Sequence, residues 1–268
     1  MHWVLQDNLF NEDAYQVLLD TLIRFEKPYS IHKVIPFVGE LTPPPEIETN
    51  NVICMGSYSL RHAAKAHGWN PGVFDLEPFH FEIQRQHWGS HMLNADAEVL
   101  PFKDIQIENR AFLRPIEDSK VFAGKVFDHY EFHDWQHKVV ALEEDYGTSL
   151  TKNTLVQVCP LKEIYGEYRF WVVKGRIVCA SQYKEGSRVI YRDDVPEAYF
   201  DFVREMIRMW QPHEAFVIDV ASVPDDGDGW RGIKIVEINT LNSSGFYACN
   251  IQKLVSELDF CFDTDNNG

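Results

Sequence analysis

Two β-branched runs, EAFVIDVASV (214–223) and GIKIVEINT (232–240), flank the turn sequence PDDGDGW (224–230). Val- and Ile-rich arms on either side of an Asp/Gly turn predict an antiparallel hairpin. If the arms pair symmetrically, the midpoint between positions 219 and 237 is Asp228, inside the turn, so Asp219 lies opposite Glu237. Opposite residues share a face and side chains alternate along each strand. Asp219, Glu237 and Asn239 therefore project together, while Ile218, Val220, Val236 and Ile238 form the core face. Two carboxylates this close raise each other's pKa unless a cation lies between them. Oxygen ligands of this kind suit Mg²⁺, which keeps several waters and is completed by substrate phosphates. The same alternation also occurs on the wet face of an ordinary antiparallel sheet. The registry of Asp, Glu and Asn, followed by the polar turn Asn-Ser-Ser-Gly (242–245), favours a metal site.

Two nearby matches fail on context. Gly227, Gly229 and Gly232 satisfy G-x-G-x-x-G but lead into a strand, whereas a dinucleotide fingerprint opens a helix. With Gly229 at the sixth position of a calcium loop, the first ligand falls on Pro224 and the twelfth on Ile235. Both stretches are turn chemistry. The formal net charge of −16, from 41 acidic and 25 basic residues, makes the field of the whole molecule repel phosphate backbones, so non-specific nucleic-acid binding is not expected. The five cysteines form no C-x-x-C pair and their number is odd; a chain of this size needs no disulfide staples, so reduced thiols and a cytoplasmic location are expected. None of the eleven histidines has a metal-ligand spacing such as H-E-x-x-H. The N-terminal residues lack a basic segment followed by an apolar run, and no stretch reaches the ~20 apolar residues of a membrane helix, so neither export nor membrane anchoring is expected.

Along the chain, VLQDNL, a helix from about Asn11 carrying Ala14, Val17, Leu18, Leu22 and Phe25, and SIHKVIPF give an α/β opening. The turn LTPPPE precedes a second strand–helix pair, NVICMG and YSLRHAAKAHG, which ends at Gly68. From Glu98 to Cys159 the pattern becomes α+β: strands AEVLPF, AFLRP, VFAGKVF and TLVQVCP, with one amphipathic helix bearing Phe132, Trp135, Val139 and Leu142. A third section holds EYRFWVVKGRIVCASQYK, two strands joined at Lys174-Gly175, then the helix EAYFDFVREMIRMW, the hairpin above, and a last helix over about 248–260. The expected organisation is a small α/β N-terminal domain (1–85), a small lobe (86–158) and a C-terminal lobe with the metal site (159–268).

No P-loop occurs, and the best basic candidates for phosphate lie in AFLRPIEDSKVFAGKVF. Arg114 ends a strand at a proline, and Lys120 precedes Ala123-Gly124, where backbone N–H groups can approach phosphate. Taken alone, a strand-end Arg-Pro and a Lys in a hairpin are equally ordinary structure. The ordered set RP-x₄-K-x₃-G, TLVQVCP, GEYRFWVV, VID and VEINTLNSSGF resembles the ATP-grasp superfamily over about Asp96 to Leu258. The resemblance implies two lobes enclosing ATP. It implies Asp219, Glu237 and Asn239 as ligands of two Mg²⁺ ions, replaceable by Mn²⁺. Arg114 stands where phosphate and adenine are contacted, Lys120 in a phosphate-covering loop, Gln157 and Val158 at the adenine hinge, and Glu167 at the ribose. Two positions depart from the pattern: Val217 replaces an Arg two residues before the first metal ligand, and Gln157 replaces a hinge Glu. Arg169, Lys184 and Arg188 are the candidates to clamp the γ-phosphate in place of the missing Arg, or to clamp a substrate carboxylate; Arg188 and Arg192 serve equally well simply to offset the acidic surface.

The resemblance implies an ATP-dependent carboxylate–amine ligase. It would take small-molecule or peptide carboxylate and amine substrates, form an acyl phosphate, and present Asn242 and Ser243 to the acceptor. Such transfer needs positioning and charge neutralisation more than a nucleophile. An ATP-binding protein without ligase activity and a metal-dependent phosphohydrolase or nuclease are the alternatives.

Overall fold

Trp3, Val4 and Leu5 are all fully buried, which an apolar strand achieves at the centre of a sheet covered on both faces. The computed structural model, which describes residues 1–7, 13–35, 38–116, 121–142, 150–227 and 229–264, places them on β1 (His2–Gln6). Helix α1 (Asp13–Arg24) leads to β2 (Tyr29–Val34), the short β3 (Leu41–Thr42), β4 (Asn51–Met55), helix α2 (Leu60–His67) and β5 (Asn70–Gly72). β1 lies between β2 and β4, parallel to both, and the order is β3-β2-β1-β4-β5. α2 stops at Gly68, whose φ of 66° is the left-handed cap conformation, and its amide returns to the carbonyls of Ala64 and Lys65.

A compact unit runs from Glu77 to Glu163. It holds α3 (Phe81–Trp88), β6 (Glu98–Pro101), β7 (Arg110–Pro115), β8 (Lys125–Asp128), α4 (His129–Val140) and β9 (Leu155–Cys159). Its antiparallel sheet has the order β6-β9-β7-β8. Asp128 caps α4 by accepting from the Glu131 amide at 2.9 Å. Phe102, Phe127, Phe132 and Trp135 pack together beneath the helix. The sequence pattern had given no element for Phe81–Trp88, because only Phe81 and Trp88 of α3 are buried and two anchors at a helix's ends leave no periodic stripe.

The remainder folds as β10 (Gly166–Val173), β11 (Arg176–Glu185), β12 (Arg188–Arg192), α5 (Glu197–Met209), β13 (Ala215–Ser222), β14 (Ile233–Asn239) and α6 (Ile251–Phe262). The antiparallel order is β12-β11-β10-β13-β14. Lys174 and Gly175 join β10 to β11 with φ of 47° and 73°, the two-residue turn in which both central residues have positive φ. This sheet belongs to one unit with residues 1–76. Trp171, Val173, Ala215 and Val217 share a core with Trp3, Leu5, Leu18, Ile53 and Met55, and with Leu254 and Leu258 of α6. The contacts thus give two units where the sequence suggested three consecutive segments; the division at 85 and 158 is a proposal about modules.

The hairpin has the expected centre. Asp219 pairs with Glu237, Ile218 with Ile238, and Val217 with Asn239. The next pair is Val220 with Ile235, so Val236 is an extra residue in a bulge. The face expected for Val236 passes to Ile235, which is fully buried while Val236 is half-buried. A second correction concerns the cysteines: Cys179 and Cys249 are disulfide-bonded, and Cys54, Cys159 and Cys261 are free. Seventy residues separate the bonded pair, so only the tertiary fold brings them together. Among the described residues, no helix is long and apolar enough to cross a membrane.

Candidate active site

One face of the β10–β13–β14 ribbon divides along its length. Alternation puts Glu167, Arg169, Trp171 and Val173 of β10 on the same side, and the last two are core. At the other end Arg169 stands opposite Asp219, and Asp219 stands opposite Glu237. The apolar half fixes the backbone that carries the polar half.

Asp219 is 1% exposed and takes a two-pronged bond from Arg169, Nε to Oδ1 at 2.8 Å and Nη2 to Oδ2 at 2.7 Å. Burial pushes its carboxyl up and the guanidinium opposes that rise. Arg169 is itself lowered by burial but driven further up by the Asp219 carboxylate, for a net rise; the fork geometry and the permanence of the guanidinium charge hold the pair ionised. Arg169 also donates to the Gly245 carbonyl at 3.3 Å and lies over the rings of Tyr183 and Tyr247, at 5.5 and 5.0 Å.

Asn239 Nδ2 donates to Asp219 Oδ2 at 3.2 Å and to Glu237 Oε1 at 3.0 Å. One positive dipole end therefore sits between the two carboxylates, at the place a shared cation takes. Two carboxylates and an amide are hard oxygen donors, the set that Mg²⁺ accepts. Among the described residues no three His, Cys, Asp or Glu side chains converge as a metal-binding group, so an ion here would complete its shell with water and phosphate, and would take the Asn239 amide oxygen only with that amide turned over, since Nδ2 faces the carboxylates. The expected ligands are thus adjacent, and their oxygen atoms are of the kind a hard divalent ion takes.

Glu167 stands opposite Lys184. It accepts from Lys184 Nζ and, at 2.8 Å, from the Tyr183 hydroxyl. Burial first, then the charges of Asp219 and Glu167, pushes the Tyr183 hydroxyl up, so it stays a donor. Tyr183 is the extra residue of a bulge between the Glu167–Lys184 and Tyr168–Gln182 pairs; this turns it towards the carboxylates, which strict alternation did not show. Its ring stacks on Tyr247 at 4.9 Å, a residue to which the sequence pattern gives no role. Arg188 is exposed on the edge strand β12, opposite Glu185.

Asn242 has a different place from the one expected. It is 2% exposed; its Nδ2 donates to the Cys54 carbonyl at 2.6 Å and the Gly72 carbonyl at 3.3 Å, and its Oδ1 accepts from the Phe74 amide at 2.8 Å. All its polarity is spent tying the turn after β14 to the ends of β4 and β5, so it does not face an acceptor. Ser243 is half-buried. In the unit from 77 to 163, Arg114 stands opposite Gln157, and Leu113 opposite Val158. Gln157 is buried, and among the described residues its Oε1 has no hydrogen-bond partner. Lys120 lies outside the described residues.

Solved structures share this architecture. D-cycloserine synthetase DcsG matches with a TM-score of 0.56 at 10% identity, over 96% of this chain and 98% of that one. The D-alanine–D-alanine ligase from Bacillus anthracis complexed with ATP matches with 0.56 at 11%, over the whole of both chains. The L-amino acid ligase from Bacillus licheniformis matches with 0.54 at 7%, over 96% of this chain and 74% of that one. The fold is that of the ATP-grasp class. Within it, the chain belongs to the ATP-grasp domain family of the R-2-K clade, family 3, whose family model matches residues 44–258. No curated protein matches the sequence.

Proposed function

We propose that this chain is an ATP- and Mg²⁺-dependent carboxylate–amine ligase acting on small-molecule or peptide substrates. The observation that carries the proposal is the Asp219–Glu237–Asn239 cluster, with the Arg169 fork on the neighbouring strand. Val217 is core, but Arg169 on β10 brings a guanidinium to the same carboxylate and so replaces the Arg that position 217 lacks. With Mg-ATP bound, a substrate carboxylate would take the γ-phosphoryl group as an acyl phosphate with ADP as the leaving group, and an amine would then attack the acyl carbon, lose a proton and release phosphate.

Glu237 and Asn239 would hold the ion, with Asp219 sharing Oδ2 while Arg169 keeps Oδ1. Glu167 is the proposed ribose contact, which Lys184 and Tyr183 hold in the meantime. Lys184 and Arg188 are proposed for the transferred phosphate, with Lys120, and Ser243 for the acceptor. Arg114, Gln157 and Val158 are the proposed nucleotide contacts of their unit, and the unpartnered Gln157 Oε1 fits an amino-group donor. Dependence on ATP supports a cytoplasmic location. The competing reading, nucleotide binding without transfer, draws on the engagement of both Asp219 oxygens by Arg169.

Glu237→Ala decides between them together with the wild type. The wild type is expected to release ADP from Mg-ATP with a panel of acids and amines, and the variant is expected to lose that turnover with an unchanged thermal melt. Retained turnover in the variant sinks the site, and nucleotide binding without ADP release across the panel favours the competing reading.

A further inference from the structure

β11 is paired along only part of its outer side. β12 covers it from Gln182 to Glu185, and among the described residues no strand pairs with the outer edge of Arg176–Ser181. A cavity of about 580 Å³ lies there, lined by the consecutive residues Gly175–Ala180, with Phe200 and Arg204 of α5 and Lys253 of α6. A strand face shows every second residue, so a consecutive run of six marks a strand edge rather than a face, even with Val178 an extra residue between the Trp171–Cys179 and Val172–Ile177 pairs.

The lining is basic in a strongly acidic chain: Arg176, Arg204 and Lys253 against the single acid Asp193. Arg176 pairs with Glu257, and Arg204 with Glu197 and Asp201, all of them substantially exposed apart from the partly covered Glu257. Such exposed pairs contribute little and exchange readily for another carboxylate. Between the cations, Ile177 and Phe200 supply apolar surface.

We propose that this edge is a docking site for an extended acidic peptide segment. The segment adds as a strand beside Arg176–Ser181, in line with β12. Its backbone takes the open N–H and C=O groups, its carboxylates meet Arg176, Arg204 and Lys253, and alternate apolar side chains meet Phe200 and Ile177. The open edge accommodates about six residues, or about 20 Å of strand. This inference does not rest on ligase activity.

The test uses the full chain and a fluorescein-labelled peptide of sequence EVEVEV, followed by anisotropy, with hydrogen exchange mapping the contact. Binding with new protection at Arg176–Ser181 is expected, together with weakening by about tenfold or more in Arg204→Glu and Lys253→Glu, in KVKVKV, and in EVEVEV methylated on alternate backbone nitrogens. No binding at millimolar peptide, equal binding of the methylated peptide, or protection confined elsewhere overturns the proposal. So does a concentration-dependent dimer that protects Arg176–Ser181 without peptide, which makes a second copy the occupant.

Discussion

Replacing Asn242 with Ala removes a side chain that serves three backbone groups from two segments, the end of β4 and the end of β5 with the residues just after it. The Phe74 N–H and the Cys54 C=O lose bonds of 2.8 and 2.6 Å, and the Gly72 C=O loses a longer one of 3.3 Å. With the residue 2% exposed, water does not replace them, and each orphaned buried group costs about 1–3 kcal/mol. Two strong bonds lost give about 2–6 kcal/mol, a large part of the 5–15 kcal/mol typical of a folded domain, or a fall in Tm of about 4–24 °C for a unit of this size. Urea unfolding followed by tryptophan fluorescence measures the loss as a lower midpoint at unchanged slope. Ser243→Ala, at the neighbouring half-buried position, stays within about 0.5 kcal/mol of wild type. An Asn242→Ala stability indistinguishable from that of Ser243→Ala would refute the bracket role.

Burial, followed by the charge of Asp96, pushes the Cys159 thiol up to about 11, so at pH 8 about one molecule in a thousand carries the thiolate. Iodoacetamide at pH 8 should therefore modify the half-exposed Cys261 and spare Cys159 until the pH approaches 11, as read by peptide mass spectrometry; equal rates at pH 8 contradict this. The Cys179–Cys249 bond closes a loop of 70 residues, so Cys179→Ser is expected to lower stability by about 4 kcal/mol on the chain-entropy model. Non-reducing peptide mapping that recovers both cysteines alkylated in the native protein removes the basis of that expectation.

The pairing of Asp219 with Glu237 was legible because it follows from counting inward to the turn. The bulge at Val236 was not: an extra residue leaves the run of Ile and Val as strand-like as before, and only the burial of Ile235 in its place reveals it. Lys174-Gly175 and Gly68 were readable, since positive φ is a local demand on residue type. Asn242 looked like any turn residue, because what makes it structural is its contact with Phe74 and Cys54, far off in the chain. Tyr183 and Tyr247 were invisible for a similar reason: each gains meaning only from the other and from Arg169.

The bulge also separates the length of the turn from the placing of the site. β10 and β13 pair without a shift from Gly166–Ser222 to Val173–Ala215, so Asp219 takes its position from Arg169 and not from the length of PDDGDGW. The slack at Val236 lies between the turn and Glu237. A change in the length of the turn that spares Asp226, paired with Lys234, and Trp230, packed on Phe202, is expected to leave the Asp219–Arg169 alignment intact.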